Sequence, residues 1–187
     1  AGAFLHHTMG PAYVTAALAY GWQGVTTNRT VGDPLHAHFH ANAFSGRLEG
    51  GWRFGSPGAF GLTPYAAGQF TSLRLPGYSE QARSGAGTFA LNYDNKTVTD
   101  WRSELGVRAD KPFALQGGVL TLGTRLAWAH TFDPTPSTTA GFAALPGTAF
   151  TVSGASIGHD AALTSLSADL KWHSGWSLGA SFDGAFS

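Results

Sequence analysis

An all-β fold of about eight long antiparallel strands, running up and down, is what the sequence predicts. Three observations lead there. From Ala162 every second residue is apolar or small (Ala162, Thr164, Leu166, Ala168, Leu170, Trp172), and the alternation resumes after a short turn with Trp176, Leu178, Ala180 and Phe182. A period of two puts one set of side chains on each face of a strand. Helical periodicity is hard to find, while strand-length segments recur between clusters of turn residues. The connections between these segments also alternate between short and long.

The strands follow in order. The first covers about 2–8 and ends at Met9-Gly10-Pro11. Its Ala3-Phe4-Leu5 reads as already inside a strand rather than as a signal peptide. The second, 12–25, sets Val14, Ala16, Leu18, Tyr20 and Trp22 against Thr15, Ala17, Ala19, Gly21 and Gln23. The third ends over 44–54, with Phe44, Leu48, Trp52 and Phe54 opposing Ser45, Arg47, Glu49 and Arg53. The fourth, about 62–75, has Tyr65, Gln69 and Thr71 on its polar side. In the fifth, 98–109, Trp101, Leu105 and Val107 oppose Arg102, Glu104 and Arg108. In the sixth, 119–131, Leu120, Leu122, Leu126 and Trp128 oppose Thr121, Gly123 and Arg125. The seventh and eighth are the hairpin 160–186, whose polar face carries Asp169 and Lys171. The short connections are 9–11, 55–61, 110–112 and 173–175. The long ones are 26–35, 76–96 and 132–159, with local pairing expected around Thr88–Tyr93 and Ala149–Val152.

This layout points to a membrane. Charged residues are 12% of the chain, about half the usual share. No run of 18 apolar residues exists to form a transmembrane helix, but a barrel strand needs only about 9–11 alternating residues. All six tryptophans fall on the apolar face of their strand. Trp52, Trp172 and Trp176 lie near short turns, and Trp22, Trp101 and Trp128 near long-loop ends, as two interfacial belts require. A soluble sandwich would more often place Trp in mid-core. The opposite face carries Arg47, Glu49, Arg102, Glu104, Arg108, Arg125, Asp169 and Lys171 among small residues. Lipid cannot solvate those charges, so this face is expected to line a wet pore. The formal net charge of zero gives no argument for nucleic acid, and the absence of Cys excludes disulfides and thiolate metal sites.

Several segments resemble the C-terminal β-domain of autotransporters. They are Leu62-Thr63-Pro64-Tyr65-Ala66-Ala67-Gly68-Gln69-Phe70, Arg102-Ser103-Glu104-Leu105-Gly106-Val107-Arg108, Ala127-Trp128-Ala129-His130, Asp160-Ala161-Ala162-Leu163 and the tail from Gly175-Trp176-Ser177-Leu178 to Phe186-Ser187. The Arg-Ser-Glu-Leu-Gly strand is the most specific. The resemblance implies a bacterial outer-membrane barrel of twelve strands preceded by a pore helix. Such a barrel supports type V secretion, the surface display of its own N-terminal passenger, and is inserted by the β-barrel assembly machinery. It implies that residues 1–187 are a single partial domain, about strands four to eleven. The fold class is then an antiparallel up-and-down transmembrane β-barrel of outer-membrane type, incomplete, with open edges. The implied partners are outer-membrane lipid, the passenger, the pore helix and the assembly machinery. No cofactor and no enzymatic activity are implied.

Other readings rest on local clusters. His36, His38 and His40 share a strand face about 6–7 Å apart, a spacing that can ligate zinc; the plainer reading is a solvated extracellular strand tip. His6-His7 face opposite ways, and His173-Ser174 sits in a turn. No Gly-x-Ser-x-Gly elbow and no convincing His-x-Ser pair is present. Arg102, Glu104 and Arg125 are expected to pair across the pore wall. The competing functions are a passive outer-membrane diffusion pore or structural barrel without a passenger, and a metal-binding surface protein built on the three histidines.

Overall fold

The computed structural model describes residues 1–56, 58–132, 137–145, 147–154 and 158–187. Its strands, in chain order, are β1 (Gly2–Met9), β2 (Ala12–Val31), β3 (Asp33–Trp52), β4 (Gly61–Leu75), β5 (Tyr78–Ser79), β6 (Gln81–Ala82), β7 (Leu91–Tyr93), β8 (Lys96–Leu115), β9 (Gly118–Thr131), β10 (Ser137–Phe142), β11 (Phe150–Ser153), β12 (Asp160–Trp172) and β13 (Ser177–Phe186). There is no helix among the described residues.

The eight long strands form one antiparallel meander in the order β1-β2-β3-β4-β8-β9-β12-β13, with β6 pairing against part of β3. Every long strand lies beside the next long strand in sequence, which is the up-and-down order expected. β1 and β13 are the two edges of this sheet. The short β5, β7, β10 and β11 make a second sheet in the order β11-β10-β7-β5. The pairing expected near Thr88–Tyr93 and Ala149–Val152 is found there, as Leu91–Tyr93 and Phe150–Ser153 on either side of β10.

Two connections differ from the sequence reading. The loop expected at 26–35 is strand. β2 and β3 stay paired from Ala12↔Trp52 to Val31↔Asp33 and turn at Gly32, whose φ of 73° suits a residue without Cβ. The turn signals Asn28 and Gly32-Asp33-Pro34 were outweighed by the β-branched Val25, Thr26, Thr27, Thr30 and Val31. The turn expected at 110–112 is also strand, since β8 runs on to Leu115 and turns at Gln116-Gly117. Pro112 is tolerated there because β4 stops pairing with β8 at Asp110, so one edge of residues 111–115 is free and a missing N–H breaks no ladder. The long connection 132–159 and the short one 55–61 hold where they are described; residues 57, 133–136, 146 and 155–157 lie outside the described residues.

The sheet is inside-out relative to a soluble protein. Leu18, Leu48, Leu105, Leu126, Leu166 and Leu178 are each more than half exposed. The six tryptophans lie on the same face, between 39% exposed at Trp172 and 76% at Trp176. A patch of this extent needs an apolar surrounding. The other face is concave. Side chains from strands that are not neighbours meet across it, such as Arg108 of β8 and Tyr13 of β2, whose Nη1 and phenolic oxygen are 2.7 Å apart. The buried residues Thr63, Tyr65, Ala67, Ala129, Glu49 and Glu104 all point that way.

This orientation is testable. Leu126→Arg, on the convex face, should lose about 2–4 kcal/mol of stability in lipid. Thr121→Arg, on the concave face of the same strand, should unfold near the parent. Denaturant midpoints in vesicles distinguish the two.

Candidate functional site

The concave wall holds a continuous polar and ionic cluster from five strands, β2, β3, β4, β8 and β9. Alternation along β3 and β8 places Arg47, Glu49, Glu104 and Arg108 on one face, and the register lines up Arg108 with both Thr63 and Arg125. Glu49 accepts hydrogen bonds from Arg47 Nη2 at 2.8 Å, from Arg108 Nη1 at 2.7 Å and from the Tyr13 hydroxyl at 2.8 Å. Glu104 accepts from Arg47 Nη1 at 3.2 Å and from Arg125 and the Tyr65 hydroxyl. Arg125 Nε donates to the Tyr65 oxygen at 2.6 Å, and the Arg108 guanidinium lies 4.0 Å from the Tyr65 ring centre. Three guanidiniums therefore share two carboxylates. The carboxylates are the more enclosed members, Glu104 at 3% and Glu49 at 8% exposure. Buried charge is tolerable only with such multiple partners.

Glycine makes the arrangement fit. Gly106 lies opposite Tyr65, and a Cβ there would sit 2.6 Å from the Tyr65 hydroxyl. Gly51 lies opposite Tyr13, and its Cβ would fall 2.6 Å from that ring. Each tyrosine lies flat over the glycine of the next strand, which aims its hydroxyl into the cluster.

Arg102 does not join this cluster. The expected trio of Arg102, Glu104 and Arg125 is replaced by Arg47, Glu104 and Arg125, because β4 and β3 curl inward and bring Arg47 over Glu104. Among the described residues, Arg102 Nε and Asp100 Oδ1 are instead enclosed without a hydrogen-bond partner. Arg102, Arg47, Gln69, Glu104, Arg125 and Asp183 border a recess of about 350 Å³ in the wall. Asp169 and Lys171 follow the same face on β12, toward its paired end with β13 and apart from the cluster. Tyr13 and Tyr65 were missed as cluster members; their placement opposite Gly51 and Gly106 is the signal that could have found them.

The three histidines stand on the convex side, with the His38 and His40 rings edge-to-face at 5.1 Å and each histidine holding a further neighbour. His40 stacks on Trp22 at 4.7 Å, His38 Nδ1 is 3.1 Å from the Thr26 hydroxyl, and His36 Nδ1 is 2.9 Å from the Gln81 carbonyl. Among the described residues no group of three or more His, Asp or Glu is arranged to hold a metal. A second polar group, unforeseen in the sequence, lies near Trp128. Asp160 Oδ1 accepts from Trp128 Nε1 at 3.0 Å and lies 2.9 Å from His130 Nδ1.

Above the cluster, the small sheet packs against the far end of the β2–β3 hairpin. Arg29 Nε donates to Glu80 Oε1 at 3.0 Å, and Leu91 N–H donates to Glu80 Oε2 at 3.0 Å. Tyr78 stacks between Phe39 and Tyr93, with ring centres 4.2 and 4.5 Å away. Burial alone would raise the Glu80 carboxyl, but the bonds from Arg29 and Leu91 outweigh it and hold the carboxyl below its ordinary 4.5. Burial, with the neighbouring Tyr93 and Glu80, pushes the Tyr78 hydroxyl up to about 12.

The sequence matches the family model of the autotransporter β-domain over residues 1–183. The chain belongs to the autotransporter β-domain family. An extracellular serine protease of Serratia marcescens is 25% identical over 183 residues, covering 95% of this chain and 17% of that protein. The chain thus spans less than a fifth of that relative's length. This autotransporter β-domain is an all-β domain of the outer membrane, and its role is translocation rather than catalysis. An attached passenger is part of that family architecture.

Two outcomes follow from the geometry. Glu104→Gln should destabilise the folded domain by about 1–3 kcal/mol, because it weakens the shared acceptor of Arg47, Arg125 and Tyr65. Arg102→Gln breaks no ion pair of the cluster and should cost less than Glu104→Gln. Denaturant titration in detergent measures both. For the small sheet, a carboxyl with a lowered folded pKa stabilises fully above its unfolded value near 4.5 and loses that contribution as pH falls through the lower folded value. The near-ultraviolet dichroism of the stacked Tyr78–Tyr93 pair should hold above pH 4.5 and decline on acidification below it. Glu80→Gln should remove that acid step.

Proposed function

We propose that residues 1–187 work as part of a pore wall along which an N-terminal passenger passes to the cell surface. The observation that carries this is the division of the sheet into an apolar convex face and a concave face holding Arg47, Glu49, Glu104, Arg108 and Arg125 in one network. A polypeptide in transit needs a wall that neither adheres to its apolar side chains nor leaves its backbone unsolvated, and mixed fixed charges among small residues provide that. Arg47, Glu49, Arg102, Glu104, Arg108, Arg125, Asp169 and Lys171 line the pore in this reading. Arg102 borders the recess in the concave wall and, among the described residues, joins none of the ion pairs there, which makes it the charge-reversal site of choice.

The two tryptophan belts contact outer-membrane lipid, and the β-barrel assembly machinery inserts the domain. The domain does no chemistry of its own, and any activity of the whole protein resides in the passenger. Charge reversal at Arg102 tests the wall's role. In the full-length protein Arg102→Glu should slow passenger display, read by surface proteolysis over time, while the barrel keeps its heat-dependent gel mobility. Display at the parent rate would exclude Arg102 from the passenger route.

A further inference from the structure

We infer that His130 and His159 form a two-histidine site for a divalent transition-metal ion, at the end of the sheet where β9 stops and β12 starts. Hydrogen bonds decide which ring nitrogens are available. His130 Nδ1 lies 2.9 Å from Asp160 Oδ1, and His159 Nδ1 lies 3.0 Å from the Thr131 carbonyl oxygen. A carbonyl and an ionised carboxylate can only accept, so each Nδ1 carries the proton. Each Nε2 then keeps its lone pair, and among the described residues neither Nε2 has a hydrogen-bond partner. A histidine that binds metal through one nitrogen almost always donates its other N–H, often to a carboxylate or a backbone carbonyl. Here His130 has the first kind of partner and His159 the second.

The two rings are also held side by side. Their centres are 5.9 Å apart and their planes 22° from parallel. With metal–nitrogen bonds of about 2.0–2.1 Å, two imidazoles on one tetrahedral ion have ring centres about 5 Å apart, so closing on an ion takes about 1 Å of side-chain movement. The backbone beneath is fixed, since His130 is the register partner of Asp160 and Thr131 N–H donates to His159 O at 2.7 Å. Asp160 Oδ1 also accepts from Trp128 Nε1 at 3.0 Å, which holds the carboxylate in place. Asp160 faces the Nδ1 side of His130, so it positions the ring and offsets the charge of the ion without ligating it. Two protein ligands and water complete the coordination, which agrees with there being no group of three or more ligands among the described residues. Both rings are reachable, with His159 exposed and the His130 side chain 29% exposed. The His38 and His40 rings are closer, at 5.1 Å, but His38 Nδ1 meets a hydroxyl that can donate or accept, so no hydrogen bond fixes its tautomer. Imidazole suits zinc, copper and nickel, and copper(II) binds tightest of the first-row divalent ions. A bound ion clips together the two ends of the long connection 132–159.

The full-length protein in detergent is titrated with copper(II) chloride alone, and bound copper is followed by electron paramagnetic resonance. The parent should bind nitrogen-coordinated copper, and one equivalent of it should be lost in His130→Ala/His159→Ala. Asp160→Asn should keep the nitrogen signature and bind about 10–100-fold more weakly. His38→Ala/His40→Ala should retain that equivalent. Heat-dependent gel mobility reports whether each variant keeps its barrel, and the single exposed change His159→Gln carries the same expected loss if the double variant misfolds. Copper bound equally by the parent, the double variant and His159→Gln overturns the site, and so does loss of that equivalent in His38→Ala/His40→Ala instead. Parent affinity in Asp160→Asn overturns the role given to the carboxylate.

Discussion

Everything in this domain follows from one constraint: lipid offers no hydrogen-bond partner to a backbone amide. Each strand must find its partners in neighbouring strands, and the pairing must continue across the whole apolar depth. The ladders here meet that demand with unbroken register between β2 and β3, β4 and β8, β8 and β9, and β9 and β12. Because no bulge interrupts them, the alternation of side chains never slips. A single choice of face at one residue then fixes the face of every other residue on that strand. The apolar exterior and the charged interior are two readings of the same ladder.

The interior adds what the ladder lacks. Hydrogen bonds between neighbouring strands set spacing but leave the curl of the sheet soft. The cluster around Glu49 and Glu104 joins β2, β3, β4, β8 and β9 through side chains that skip over intervening strands. Its members can all be satisfied only if the sheet bends toward them. The ion pairs therefore hold the sheet curved, and the glycines opposite Tyr13 and Tyr65 let the aromatic rings take part without splaying the strands.

Much of this was legible in the sequence. Period-two alternation located all eight long strands. The polar set Arg47, Glu49, Glu104, Arg108 and Arg125 shares one face by alternation and meets on the concave side. Local turn chemistry was the weaker guide. Asn28, Gly32-Asp33-Pro34 and Asp110-Lys111-Pro112 all carry breaker residues, yet each lies in or beside a continuing strand, because a paired neighbour or a free edge absorbed the irregularity. The identity of ionic partners was less accessible still. Arg102 and Arg47 are equivalent by pattern, and only the curl of β3 and β4 decides which reaches Glu104. The position of the small sheet could not be read at all, since it depends on contacts between residues as distant as Arg29 and Glu80, or Lys96 and Ser137.

That last feature also orders events in time. The small sheet draws its strands from the two long connections that follow β4 and β9, and its footings stand on β2, β3 and β8. None of those footings exists as a surface until the long strands have found their register. Its docking therefore depends on the long strands being already paired. A probe that senses the Tyr78–Tyr93 stack would report that the long strands beneath it have found their register.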